Sequence, residues 1–107
     1  MTADDQPRID VLASADLLEG KPRMIRVTGK RIAFLREGPR IFAFDDLCPH
    51  ASDPLSQGYP FEGSIVCRAH GWRYELDGGT CLLGERASRL PIHQVREREG
   101  RLEVRLA

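Results

Sequence analysis

Several marks of common functional classes are missing from this 107-residue chain. No apolar run approaches the roughly 18 residues a membrane-crossing helix needs. The N-terminus, Met1-Thr-Ala-Asp-Asp-Gln-Pro-Arg8, is polar and acidic with no apolar segment behind it, which excludes a signal peptide. Charge of one sign is absent too: sixteen Lys and Arg balance sixteen Asp and Glu. A nucleic-acid binder would need a basic surface to displace counterions, so that class is excluded. Cysteine is scarce, three residues in all, an odd number and too few for a disulfide scaffold. No helical period persists, and there is neither an internal repeat nor a low-complexity tract. What is left is a soluble, cytoplasmic chain without a membrane partner. Its 41% hydrophobic and 30% charged residues are ordinary for a globular protein, and its length suits one domain, residues 1–107, with a modest core.

The segments that remain are short. Residues 1–8 read as frayed, and Ile9 to Leu12 as a first strand. Ser14 reads as the N-cap of a single turn, Ala15-Asp16-Leu17-Leu18, stopped by Gly20 and Pro22. Met24 to Thr28, Ile32 to Arg36 and Ile41 to Phe44 read as three strands, with turns at Gly29-Lys30 and Gly38-Pro39. Tight turns between short strands predict an antiparallel meander and not a parallel sheet. Near the end, Ile92 to Arg96 and the alternating Leu102-Glu-Val104-Arg-Leu106 flank a turn at Glu99-Gly100. Between these regular ends, residues 45–86 hold six of the ten glycines together with Pro49, Pro54 and Pro60, a density that favours loops. Within them, Ser64 to Cys67 and Trp72 to Leu76 read as short strands, with a hairpin turn at Asp77-Gly78-Gly79. The expected fold is all-β: a small antiparallel sandwich or barrel base (residues 9–44 and 87–107) carrying an inserted loop-rich lobe (about 45–86). A lobe so poor in core-forming residues needs a staple.

The lobe also holds the chemistry. Cys48-x-His50 is followed, after sixteen intervening residues, by Cys67-x-x-His70. Each half offers one thiolate and one imidazole, which is the ligand set of an iron–sulfur cluster with two histidines replacing two cysteines on one iron. A structural zinc site uses the same residue types, but its usual spacing groups two cysteines in one knuckle and two histidines in another; here each knuckle is mixed. A mononuclear oxygen-activating iron needs two histidines and a carboxylate. With His50 and His70 committed, only His93 is left, so the chain cannot hold both kinds of centre. Ordinary loop residues would have to produce two mixed pairs beside Pro and Gly turns by chance.

Cys48-Pro-His50 and Cys67-Arg-Ala-His70-Gly-Trp72-Arg-Tyr74 resemble the two ligand loops of a Rieske [2Fe–2S] protein, and the resemblance extends over nearly the whole chain. It implies one [2Fe–2S] cluster with Cys48 and Cys67 on one iron and His50 and His70 on the other. It further implies the Rieske fold, a β base with a cluster-binding lobe. The His-Gly-Trp-x-Tyr ending is similar to the oxygenase-associated branch. With no catalytic iron domain, this suggests a stand-alone ferredoxin: it takes single electrons from a flavin-containing reductase, passes them to a terminal oxygenase, and is not an enzyme in its own right. A small Rieske-like subunit of a reductase, such as assimilatory nitrite reductase, and a redox-sensing module are the alternatives. Of the other residues, Cys81 reads as a small buried residue, His93 as a side chain on the polar face of its strand, and Trp72 mainly as packing. Gly84-Glu85-Arg86 stands where relatives often have a Gly-Pro loop over the cluster.

Two departures bear on the electron's energy. Relatives in respiratory and photosynthetic complexes add a cysteine to each ligand loop, whereas Ser52 and Ala69 stand in those regions here. They also place a serine two residues after the second histidine, where this chain has Trp72; Tyr74 keeps the later hydroxyl. Fewer hydrogen bonds to the sulfurs leave the reduced charge less stabilised. The midpoint potential is therefore predicted towards the lower end of the Rieske range of about −150 to +300 mV, and redox titration giving a value above roughly +100 mV would contradict this.

Overall fold

A computed structural model describes residues 7–85 and 87–107. Ten strands follow in order: β1 (Ile9–Ala13), β2 (Arg23–Val27), β3 (Lys30–Glu37), β4 (Arg40–Asp45), β5 (Tyr59–Phe61), β6 (Ser64–Val66), β7 (Arg73–Glu75), β8 (Cys81–Leu83), β9 (Ile92–Arg98) and β10 (Arg101–Arg105). Among the described residues the helical pieces are two 3₁₀ turns, Ser14–Asp16 and Leu55–Gln57. None is long and apolar enough to cross a membrane.

Both ends of the chain supply one six-stranded antiparallel sheet, in the order β1-β10-β9-β4-β3-β2. Its outermost strands, β1 and β2, come back into contact, so the sheet curls into a nearly closed barrel. The middle of the chain forms a second sheet, β5-β6-β7-β8. The expected all-β base with its meander β2-β3-β4 is observed, and the lobe is more regular than its composition suggests.

The central strands of the base are buried on both faces. Ile32, Phe34 and Ala43 point into the barrel with Leu12, Val27, Leu102 and Val104. Ala33, Leu35, Phe42 and Phe44 point the other way, into a core shared with Leu55, Ile65, Tyr74 and Leu76 of the lobe. That double burial explains why Ile32-Ala-Phe-Leu35 is a continuous apolar run and not an alternating one. It also makes up for the lobe's few core-forming residues: the lobe shares a core with the outer face of β3 and β4.

Other local readings change as well. Val27 pairs with Lys30, so the two-residue turn is Thr28-Gly29, both with positive φ (49° and 84°), as a twist-matched hairpin requires. Ser14 does not cap a helix. Its hydroxyl and carbonyl accept from Arg36 Nη2 at 2.7 and 2.9 Å, while Arg36 Nε donates to the Leu17 carbonyl at 2.9 Å. Strands β5 and β8 were not foreseen because three residues are too few to show a period, and Pro60 in β5 signals a break. Both are edge strands, where a proline costs no ladder hydrogen bond. The predicted fraying falls mainly on residues 1–6, which lie outside the described residues.

His93, expected on a polar face, is 4% exposed. It lies on β9 opposite Ala43. Its Nδ1 accepts from the Ala107 backbone N–H at 2.9 Å, so the proton is on Nε2, which donates to Asp45 Oδ1 at 2.7 Å. The ring ties β9, the end of β4 and the chain's last residues together, and both its nitrogens are used structurally.

Between β5 and β6 the backbones approach closely at Gly58, where a Cβ would lie 2.0 Å from the Val66 carbonyl oxygen. Gly58→Ala is predicted to destabilise the protein by about 1–3 kcal/mol through this overpacking. Urea unfolding followed by tryptophan fluorescence tests this, and an unchanged midpoint would show that β5 and β6 can part at no cost.

Candidate metal centre

The two candidate ligand loops close in the same way. In the first, the Cys48 carbonyl accepts from the Ser52 N–H (2.8 Å) and the Cys48 N–H donates to the Asp53 carbonyl (2.9 Å). In the second, the Cys67 carbonyl accepts from the Gly71 N–H (2.9 Å) and the Cys67 N–H donates to the Trp72 carbonyl (2.8 Å). Each cysteine thus closes a loop through the residues four and five positions on. The fourth residue is left-handed in both, Ser52 at φ 53° and Gly71 at φ 77°. Such a conformation costs a glycine little and a serine roughly 1–2 kcal/mol, so Ser52 is held there by its surroundings.

Those surroundings start two residues before Cys48. Asp46 is fully buried and saturated: Oδ2 accepts from Arg31 Nη2 (2.7 Å) and Oδ1 from the Ser56 N–H (2.8 Å). Its backbone N–H donates to the Arg31 carbonyl (3.0 Å), and its carbonyl accepts from the Leu55 N–H. The first loop therefore springs from a point anchored to β3. The two loops are joined by an exposed ion pair, Arg68 Nε to Asp53 Oδ2 at 2.9 Å. Nothing in the spacing of Asp53 and Arg68 distinguishes them in the sequence.

Burial sorts the four candidate donors. Cys48 and Cys67 are 1% and 0% exposed, whereas His50 and His70 are exposed. The two imidazoles lie edge to face, with centroids 4.9 Å apart and planes at 69°. Burial pushes the Cys67 thiol above its ordinary pKa, and the neighbouring Cys48 adds to the rise. Tyr74, fully buried beneath the loops, has its hydroxyl 2.9 Å from Ser88 Oγ and 3.9 Å from Cys48 Sγ. Loss of solvent, chiefly, raises its pKa to about 12, so the phenol stays protonated. Its contact with Ser88 was not legible in the sequence.

A two-iron cluster suits this donor set. Two pairs, one buried and one at the surface, suit two irons spaced by bridging sulfides better than they suit a tetrahedral zinc.

The other residues singled out in the sequence fall around this centre. Cys81 is a buried free thiol in the shared core, as expected, and burial raises its pKa. Trp72 does more than fill the core. It is half-buried at the edge of it, and its indole stacks on the His50 ring with centroids 3.8 Å apart and planes 8° from parallel. Gly84 packs against that indole. Arg86, the last residue of the anticipated third loop, lies outside the described residues.

Residues 8–94 match the model of the Rieske [2Fe–2S] domain. The chain is 29% identical over 99 residues to the ferredoxin component of the naphthalene 1,2-dioxygenase system of Pseudomonas putida, covering 92% of this chain and 95% of that one. It is 34% identical over 77 residues to the ferredoxin component of the alkene monooxygenase system of Xanthobacter autotrophicus, covering 71% of this chain. The match spans 63% of that relative's length, and 23% and 27% of two oxygenase relatives. Among solved structures, a complex of reduced oxygenase and oxidised ferredoxin in carbazole 1,9a-dioxygenase superposes with a TM-score of 0.84 at 26% identity, covering 94% of each chain. A nitrite reductase small subunit from Mycobacterium tuberculosis has the same fold, with a TM-score of 0.84 at 22% identity, covering 95% and 97%. With 87 consecutive residues matched and both mixed ligand loops inside them, the chain belongs to the Rieske [2Fe–2S] family, whose cofactor is one [2Fe–2S] cluster.

Proposed function

We propose that this chain is a cytoplasmic one-electron carrier, a Rieske-type ferredoxin acting between a flavin-containing reductase and a terminal oxygenase. Residues 45–86 serve as the cluster-binding lobe on a base of 9–44 and 87–107. Cys48 and Cys67 hold the inner iron and His50 and His70 the outer one. When bound, the cluster supplies a site that gains and loses one electron without a bound substrate. The observation that carries this reading is the sorting of donors by depth: two buried thiols beneath two exposed imidazoles. An electron then has a short path to a partner at the histidine end, while the sulfur end is kept from water. Redox encounters use small, transient interfaces, and the exposed His50 and His70 provide a compact tip for one. The relatives with ferredoxin in their names come from oxygenase systems, which supports an oxygenase as the acceptor. The likeness to the nitrite reductase subunit is at an identity that speaks to fold alone, and the presence of all four donors favours the carrier over a ligand-free structural subunit.

The residues around the thiols have separable roles. Tyr74, protonated and 3.9 Å from Cys48 Sγ, can donate to a thiolate there and favour added negative charge. Asp53 and Arg68 hold the two loops in register from outside.

His70→Ala should abolish the visible absorbance of the cluster and, in a reconstituted reductase–oxygenase assay, substrate turnover along with it. Turnover that survives without the cluster would end this reading. Tyr74→Phe should keep the cluster and lower its midpoint. A hydrogen bond worth about 1 kcal/mol corresponds to roughly 40 mV for one electron. An unchanged or raised midpoint would mean that the phenol does not stabilise the reduced state.

A further inference from the structure

Trp72 is the one tryptophan of the chain, and its surroundings are unusual for a residue that merely fills a core. Its indole is stacked almost parallel on the exposed ring of His50, 3.8 Å between centroids and 8° between planes. It is also tied to the other ligand loop, because its carbonyl accepts the Cys67 N–H at 2.8 Å. On the outside, Gly84 lies against it with φ at 134°, a conformation L side chains rarely adopt. A Cβ there would come within 2.3 Å of Cδ2 and 2.4 Å of Cε3. Cδ2 is one of the two ring-fusion atoms, and its in-plane directions are all taken by bonded carbons. An approach that close can come only over a face of the indole. Gly84 thus leaves the room that the indole fills.

We infer that Trp72, backed by Gly84, is a positioning residue for the His50 ligand. This deepens the carrier reading and rests on His50 being a ligand. The physical need is plain. His50 sits in an exposed loop whose backbone is closed by Cys48, but nothing in that closure fixes the imidazole plane. A free imidazole would sample several rotamers, and its ordering would have to be offset each time iron bound. Parallel stacking on a rigid indole restricts both side-chain torsions at once. Partners that orient a metal-bound imidazole usually do so by hydrogen bonding to the second ring nitrogen. Here the restraint comes from the ring face, which leaves the outer nitrogen edge open towards solvent and a redox partner. Because the Trp72 backbone carbonyl accepts from the Cys67 N–H, the stack also couples the orientation of His50 to the loop that carries His70.

Three variants of the loaded protein test this: Trp72→Leu, which removes the stack; Trp72→Phe, which keeps a flat ring; and Gly84→Ala, which drives a methyl group into the indole. The measurements are the rate of cluster loss to an iron chelator, the EPR g values of the reduced protein, and the melting temperature. Trp72→Leu and Gly84→Ala are expected to lose the cluster about tenfold faster and to shift the g values, with Trp72→Phe falling close to wild type. If the Leu and Ala variants melt earlier but keep wild-type loss rates and g values in their loaded fraction, Trp72 is packing alone and the inference fails. It fails equally if Phe and Leu behave alike. His50→Ala separates the two levels: a full, unaltered cluster in that variant would remove the ligand assignment itself. Should Trp72→Leu not fold, Gly84→Ala retains the indole and decides the question.

Discussion

The structure depends most on the closure of each ligand loop onto its own cysteine. Backbone N–H and carbonyl groups of Cys48 and Cys67 are both spent on residues four and five positions further on. A loop closed at its root needs no strand or helix to hold its shape, and its backbone polar groups are satisfied although the cysteines are buried. Two different spacings, Cys-x-His and Cys-x-x-His, are thereby hung on the same scaffold. The side chains sort by depth as a consequence, with thiols at the roots and imidazoles at the tips.

Those loops would have no fixed relation to each other without the surface beneath them. β3 and β4 provide it by burying both faces: Ile32 and Phe34 inside the barrel, Ala33, Leu35, Phe42 and Phe44 against the lobe. Leu55 follows the first loop and Ile65 precedes the second; both are fully buried in that shared core. The saturated Asp46 fixes where the first loop leaves the base, and the Asp53–Arg68 pair and the Trp72 stack tie the loop tips from outside. Exposed ion pairs contribute about 0–1 kcal/mol, so the Asp53–Arg68 contact sets register more than stability. The apolar layer carries the energy.

How much of this could be read in the sequence differs by kind of feature. The mixed Cys-His pairs carry their chemistry in residue type and spacing, and the β base shows its alternation at β10, where Leu102 and Val104 are buried between exposed or half-buried neighbours. Strands β5 and β8, three residues each, are below the length at which a period exists. His93 misleads because a polar residue in a strand is normally assigned to the wet face. Its burial is made possible by Asp45 and the Ala107 N–H, brought from 48 and 14 residues away. The Trp72–His50 stack and the Tyr74–Ser88 contact are likewise products of tertiary placement. Sequence patterns report which face a residue prefers, not which partner will meet it there.

The central claim is that two buried thiols and two exposed imidazoles serve different irons of one cluster. A Mössbauer spectrum of the oxidised protein loaded with ⁵⁷Fe tests it directly, since each iron reports its own ligands. Two distinguishable iron sites in equal amounts, one with sulfur ligands alone and one with nitrogen, are the predicted result. A single class of iron, whether from four equivalent ligands or from a mononuclear centre, would contradict it.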